Sequence, residues 1–196
     1  MNNTLTTKKI PLTYFVIPFI IQLIIILVVP SKNFYTYKTG QNIVIQTRPV
    51  DPYDLLRGYS QTLSYKISNL RTLQELSGGK NLERGNTFYL TLKAPESLDR
   101  KPPLPWKPIK INENKPSSLA ANQIYLKGIV SNRNTVKYGL ETYYMPENQR
   151  QKINEEIRAL RTENDARQPF VVEIKVDKFG NSIPDSLWLG ENNYRF

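Results

Sequence analysis

From Ile10 to Pro30 the chain reads IPLTYFVIPFIIQLIIILVVP, without a charged side chain and with only Thr13 and Gln22 clearly polar. About twenty apolar residues at ~1.5 Å rise per residue match the ~30 Å hydrocarbon core of a bilayer. A helix in a globular core is rarely apolar on every face over such a length, so the pattern predicts a transmembrane anchor over residues 10–30. Pro11 falls in the first turn, where its missing N–H costs little, and Pro18 is expected to kink the helix. A cleaved signal peptide competes, with Lys8 and Lys9 as its basic start and Phe19–Val29 as its apolar centre. The run is long for that role, and Val29-Pro30-Ser31 lacks a small-residue cleavage signal, so an uncleaved anchor is expected. Lys8 and Lys9 before the span nearly balance Lys32 and Lys38 after it. The short leading tail and the readiness of long domains to translocate favour residues 1–9 in the cytoplasm. The rest is then expected outside it, on the periplasmic side of an inner membrane.

Beyond the anchor the period changes from all-apolar to alternating. Residues 31–41 read as a polar and aromatic tether. Ile43 and Ile45 alternate with Asn42, Val44 and Gln46 in QNIVIQTR, and Leu63, Tyr65 and Ile67 alternate with Thr62, Ser64 and Lys66 in SQTLSYKIS, which predicts strands, the second half-buried. Pro49-Val-Asp-Pro52 between them is a turn signal. Leu70–Arg84 carries one helical turn broken at Gly78-Gly79. TFYLTLKA, IYLKGIVS and VKYGLETYYM (87–94, 124–131, 136–145) read as strands, the last two joined by an Asn-rich turn at 132–134. Six of the fourteen prolines fall between Pro95 and Pro116, an extended crossing with WKPIKI as an edge strand. Ile153, Ile157 and Leu160 share one face of a helix near 147–161. Phe170, Val172, Ile174 and Val176 alternate before a turn at Phe179-Gly180-Asn181, which predicts a C-terminal hairpin. The expected fold is α+β and mainly β. A transmembrane helix precedes one β-rich domain over 42–196, a sheet or partly open barrel with one packed helix.

Composition narrows the chemistry. The 196 residues contain neither Cys nor His, which removes Cys nucleophiles, Ser-His-Asp triads and Cys/His zinc sites; no metal and no cofactor are expected. Ser31 with Lys127 or Lys137 is the remaining nucleophile–base arrangement, with a desolvated Lys as base. That layout loosely resembles type I signal peptidases, although Ser31 is followed by Lys rather than Met, and Lys127 by Gly rather than Arg. It gives the alternative of a membrane-anchored Ser/Lys hydrolase. The net charge of +10 brings in polyanions. Lys101, Lys107 and Lys110 around Trp106 would suit phosphates and stacked bases. An outward-facing domain rarely meets nucleic acid, so the excess charge is better matched to anionic lipid, giving a second alternative of an envelope-binding module.

Two segments carry a family likeness. Residues 49–65, PVDPYDLLRGYSQTLSY, keep Asp51, Asp54, Arg57, Gly58, Leu63 and Tyr65 in the order Pro-x-Asp-Pro-x-Asp-Leu-x-Arg-Gly-Asp-Tyr-x-x-Leu-x-Tyr, with Tyr59-Ser60 in place of Asp-Tyr. Residues 138–147, YGLETYYMPE, supply Tyr138, Gly139, Glu141, Tyr143, Pro146 and Glu147 in a Tyr-Gly-x-Glu-x-Tyr-x-x-Pro-Glu stretch. The chain thus resembles the GDYXXLXY proteins over nearly its whole length, C-terminal hairpin included. The resemblance implies a single-pass membrane protein without assigned enzymatic activity, encoded beside or fused to polytopic membrane proteins. A non-enzymatic accessory role toward such a partner in the lipid bilayer is therefore expected. Burial of Leu63, Tyr65 and Ile67, and of Leu140 and Tyr144, predicts that the two segments share one wall. Its polar edge, Arg57, Tyr59, Glu141 and Tyr143, is the expected partner-binding surface.

Overall fold

A computed structural model of the chain describes residues 12–47, 60–62, 65–97, 100–132, 134–144, 149, 151–153, 155, 156, 159 and 170–195. An apolar helix, α1 (Thr13–Thr39), leads into ten strands that are antiparallel wherever they pair. These are β1 (Gln41–Gln46), β2 (Ser60–Thr62), β3 (Thr87–Lys93), β4 (Lys107–Asn112), β5 (Gln123–Asn132), β6 (Thr135–Lys137), β7 (Thr142–Tyr144), β8 (Val171–Val176), β9 (Ser182–Leu189) and β10 (Asn192–Arg195). One four-stranded sheet runs β1-β8-β9-β10, another β4-β3-β5-β6, and among the described residues β2 and β7 form a two-stranded sheet. The sheets are open, so of the two expected forms the sheet holds and the barrel does not.

α1 is long and apolar enough to cross a membrane, and its apolar window is wholly unburied by the rest of the chain. It passes through Pro18 and Pro30 and continues to Thr39, so the expected tether over 31–41 is instead helical nearly to its end. Nothing between Pro30 and Gly40 breaks a helix, and Thr36 gives the last turns a docking contact. Gly40 then turns into β1.

The alternating runs are strands with both faces covered. Val44 is buried beside Ile43 and Ile45, and Val171 beside Val172 and Ile174, because each strand lies between a sheet neighbour and a second layer. Phe88, Leu90 and Leu92 of β3 pack into the same core as Leu126, Val130 and Val172. WKPIKI forms the edge strand β4, as its prolines predict. The short helix α2 (Leu70–Gln74) starts where the Asn69 side chain accepts the Arg71 N–H at 3.0 Å. The third helix, α3, has described positions at 149, 151–153, 155, 156 and 159. Ile153 is fully buried, worth about 1.5–3 kcal/mol. Glu156 of α3 accepts hydrogen bonds from Asn192 and Tyr194 of β10. Ile157 and Leu160 lie outside the described residues.

Two expected strands are interrupted. Among the described residues of SQTLSYKIS, β2 and a bridge from Tyr65 to Thr47 are extended, and Lys66–Ser68 is a 3-10 turn. VKYGLETYYM divides into β6 and β7, which belong to different sheets. The division is chemical: Gly139 adopts φ +83°, and the Glu141 carboxylate accepts the N–H groups of Tyr138 at 2.7 Å and Gly139 at 3.1 Å. β10 was not expected from the sequence; of NNYR only Tyr194 is buried, which leaves no alternation to read.

Candidate functional site

The two family-like segments meet. Ser60, Gln61 and Thr62 pair with Tyr144, Tyr143 and Thr142, and beyond that ladder two tyrosines tie the segments together. The Tyr65 hydroxyl donates to the Leu140 carbonyl at 2.9 Å, and the Tyr138 hydroxyl donates to the Ile67 carbonyl at 2.8 Å. Tyr65 thus anchors the backbone of the second segment, and Tyr138 the backbone just after the first. Both are buried, and Tyr138 also stacks edge-on against Phe88. Burial first, and then the charge of Glu141, push the Tyr138 hydroxyl well above its ordinary value, so it stays a neutral donor. The expected contact between the two segments is therefore present among the described residues, and Tyr65 and Tyr138 hold backbone rather than face solvent.

Of the expected partner-binding edge, Glu141 is described in full: its two oxygens cap the turn at Tyr138 and Gly139. Tyr143 is described as a strand position of β7. Arg57 and Tyr59 lie outside the described residues, as do Asp51, Asp54, Gly58, Leu63, Pro146 and Glu147. Ser31 lies exposed on α1 with its hydroxyl donating to the Val28 carbonyl at 2.6 Å. Lys127 on β5 and Lys137 on β6 are both exposed and lack the desolvation a lysine base requires.

The wall continues into a groove. Lys66 and Ile67, directly after Tyr65, line an open cleft of about 680 Å³ together with Ile45 of β1 and Trp106, Pro108 and Ile109 at β4. Its floor is apolar. The Trp106 N–H donates to the Val44 carbonyl at 2.8 Å, which closes the floor between the edge strands of the two large sheets. Trp106 is 7% exposed and presents no free face for base stacking. Lys66, Lys93 and Lys107 stand exposed on the rim, with Glu96 the one carboxylate among the described lining residues. The sequence marked Trp106 and Lys107 as a basic surface. The groove escaped because its walls come from segments some sixty residues apart, Ile45 and Trp106.

A second constellation joins α1 to the domain. Thr36 is 1% exposed, and its hydroxyl donates to Asp177 Oδ2 at 2.8 Å. Asp177 Oδ1 accepts the N–H groups of Phe179 at 2.8 Å and Asn181 at 3.0 Å, and the Asn181 amide bonds the same carboxylate. Burial alone would raise the Asp177 carboxyl, but the hydrogen bonds from Asn181, Thr36 and the two backbone N–H groups hold it below its ordinary value. The run Asp177-Lys-Phe-Gly-Asn181 was legible as a turn, and the helix it captures was not.

No curated protein and no solved structure matches the chain. The family described as GDYXXLXY protein matches residues 22–187, which takes in most of the apolar helix, both motif segments and nearly all of the C-terminal hairpin. The chain, with the Tyr65 and Tyr138 hydroxyls tying its motif regions together and Glu141 capping the turn at Tyr138 and Gly139, belongs to the GDYXXLXY family.

Proposed function

We propose that this chain is a non-enzymatic, single-pass accessory protein. Its β-rich domain stands outside the cytoplasm and binds an exposed segment of a polytopic membrane protein. The observation that carries the reading is the groove beside the motif wall: an apolar floor with Trp106, framed by two sheet edges and rimmed by Lys66, Lys93 and Lys107. Such a cleft suits an extended, apolar segment carrying acidic residues. Strand β1 links it to the helix exit. From Gly40 to Ile45 is five residues, or about 17 Å at ~3.3 Å per residue, within reach of a loop emerging from the same bilayer. The helical continuation of α1 to Thr39 supports an uncleaved anchor that presents the domain at a set height.

The test is a photo-crosslinking amino acid at Ile109 in the groove, with Glu83 on a distant exposed loop as control, in native membranes. Crosslinks from 109 to an integral membrane protein, absent from 83 and lost when Trp106→Ala empties the floor, support the reading. Equal crosslinking from both positions, or none to an integral membrane protein, overturns it.

A further inference from the structure

Where α1 leaves the apolar stretch, the chain builds a collar of alternating aromatic and cationic side chains. The Lys38 ammonium lies over the rings of Phe34 and Tyr37 at 5.8 and 5.9 Å. Lys175 of β8 lies over Tyr37 at 5.0 Å. Lys178 lies over Tyr35 at 6.0 Å and Phe179 at 5.2 Å. Lys115 reaches the same place from the loop before β5, over Phe179 at 5.5 Å and Tyr125 at 5.8 Å. Four lysines from three parts of the chain thus converge on rings that cluster around one helix end. Phe34 is 64% exposed and Phe179 48%, large apolar areas that water does not reward. The acid beneath them, Asp177, is buried with its oxygens engaged by Thr36, Phe179 and Asn181.

The level of the collar identifies its occupant. Residues 34–38 lie about 6–12 Å beyond Pro30 along the helix, at and just above the headgroup layer if α1 spans the hydrocarbon. Rings of amphipathic character are stable at that depth, and ammonium groups there meet lipid phosphates. We infer that this collar binds the headgroups of anionic phospholipids, with Lys38, Lys115, Lys175 and Lys178 pairing with phosphate and Phe34, Tyr37 and Phe179 packed among the headgroups. The site rests on α1 lying in a bilayer and is independent of the groove and its partner. It selects anionic over zwitterionic lipid because four ammonium groups share a small surface. It also sets the tilt of the domain, since Lys175 and Lys178 belong to the domain while Phe34 and Lys38 belong to the helix.

The experiment titrates the full-length, detergent-solubilised protein with short-chain phosphatidylglycerol, phosphatidylcholine or inorganic phosphate, and counts bound molecules by native mass spectrometry. Phosphatidylglycerol is expected to bind, phosphatidylcholine to bind much more weakly, and inorganic phosphate not to be retained. The triple variant K38Q/K175Q/K178Q should weaken phosphatidylglycerol binding by roughly five-fold for each lysine, on the order of a hundred-fold in all. The matching triple arginine variant should restore it. Should the triple glutamine variant fail to fold, the single variants K38Q and K115Q carry the comparison. Equal retention of both lipids, or unchanged binding in the glutamine variants, overturns the site. Retention of inorganic phosphate as tight as that of the lipid also overturns it, in favour of a soluble anion site. Release of the protein from membranes by alkaline extraction would instead overturn the anchor.

Discussion

Tyr65 and Tyr138 are positions that a reading of conspicuous motifs would give to a binding surface, yet Tyr65 spends its hydroxyl on a buried carbonyl of the second segment, and Tyr138 on one just after the first. Replacing either by Phe keeps the ring and leaves a buried acceptor short of a donor. A cost of about 1–3 kcal/mol is expected for Tyr65→Phe and for Tyr138→Phe in chemical denaturation. Because both bonds close the same wall, the double variant should cost less than the sum. Losses below a few tenths of a kcal/mol in both would show that the hydroxyls are dispensable. Gly139 belongs to the same corner for a different reason. A Cβ there meets nothing nearer than 4.0 Å, so space is ample, but φ of +83° is strained for any L side chain. Gly139→Ala should therefore destabilise by roughly 1–2 kcal/mol, with Gly139→Asn milder because Asn tolerates the left-handed region. An alanine variant as stable as the parent would refute that account.

At the scale of elements, the join between α1 and the β8–β9 turn shows how an expected tether becomes part of a rigid unit. Gly40 has an ordinary φ of −72°, but a Cβ there would sit 2.5 Å from the Thr36 carbonyl oxygen and 3.0 Å from Lys175. Gly40→Ala is thus a purely steric perturbation, expected to cost about 1–3 kcal/mol. Thr36→Val removes one hydrogen bond to a buried carboxylate, worth about 1.5–3 kcal/mol. Asp177 adds a pH dependence. Its folded carboxyl lies below the ordinary 3.8, so its stabilisation is complete above that value and disappears as pH falls through the depressed one. Thermal melts in detergent should fall more steeply below pH 3.8 for the natural chain than for Asp177→Asn, which is less stable at neutral pH and flatter in acid. Parallel acid limbs would refute the assignment. Such joins explain what the sequence withheld. Period and turn chemistry made α1, β3, β5, β8 and β9 legible, because apolar alternation and Phe179-Gly180-Asn181 are local signals. The capture of Thr36 by Asp177 spans 141 positions, and the Glu141 cap that splits β6 from β7 uses a carboxylate indistinguishable in sequence from a solvent-facing one. The wall shared by the motif segments was legible because two apolar faces close in pattern had to be buried together. The groove was not, because a concave surface has no period.

On the scale of the whole molecule, these joins bring together an apolar helix, two open sheets and an apolar groove rimmed by lysines. α1 touches β8 and β9 through its last turns, the Lys127 N–H donates to the Gly180 carbonyl at 2.8 Å, and Trp106 bonds Val44 across the sheets. A chain that held its domain on a loose tether would sample many attitudes above a bilayer. With Thr36 docked on Asp177, this one is expected to transmit the direction of its helix into the position of its groove. The absence of cysteine makes that measurable, since two introduced thiols are the only labelling sites. With spin labels at Lys32→Cys on α1 and Glu83→Cys on the exposed loop before β3, the full chain in lipid nanodiscs should give one narrow distance distribution. Thr36→Val combined with Asp177→Asn cuts the join and should broaden that distribution while the near-ultraviolet signature of the domain persists. A distribution already broad in the natural chain would mean that the helix and the domain move independently, and that the groove has no set height. A narrow distribution in the natural chain and a broad one in the cut variant would make the Thr36–Asp177 contact the joint that fixes the height of the groove above the end of the helix.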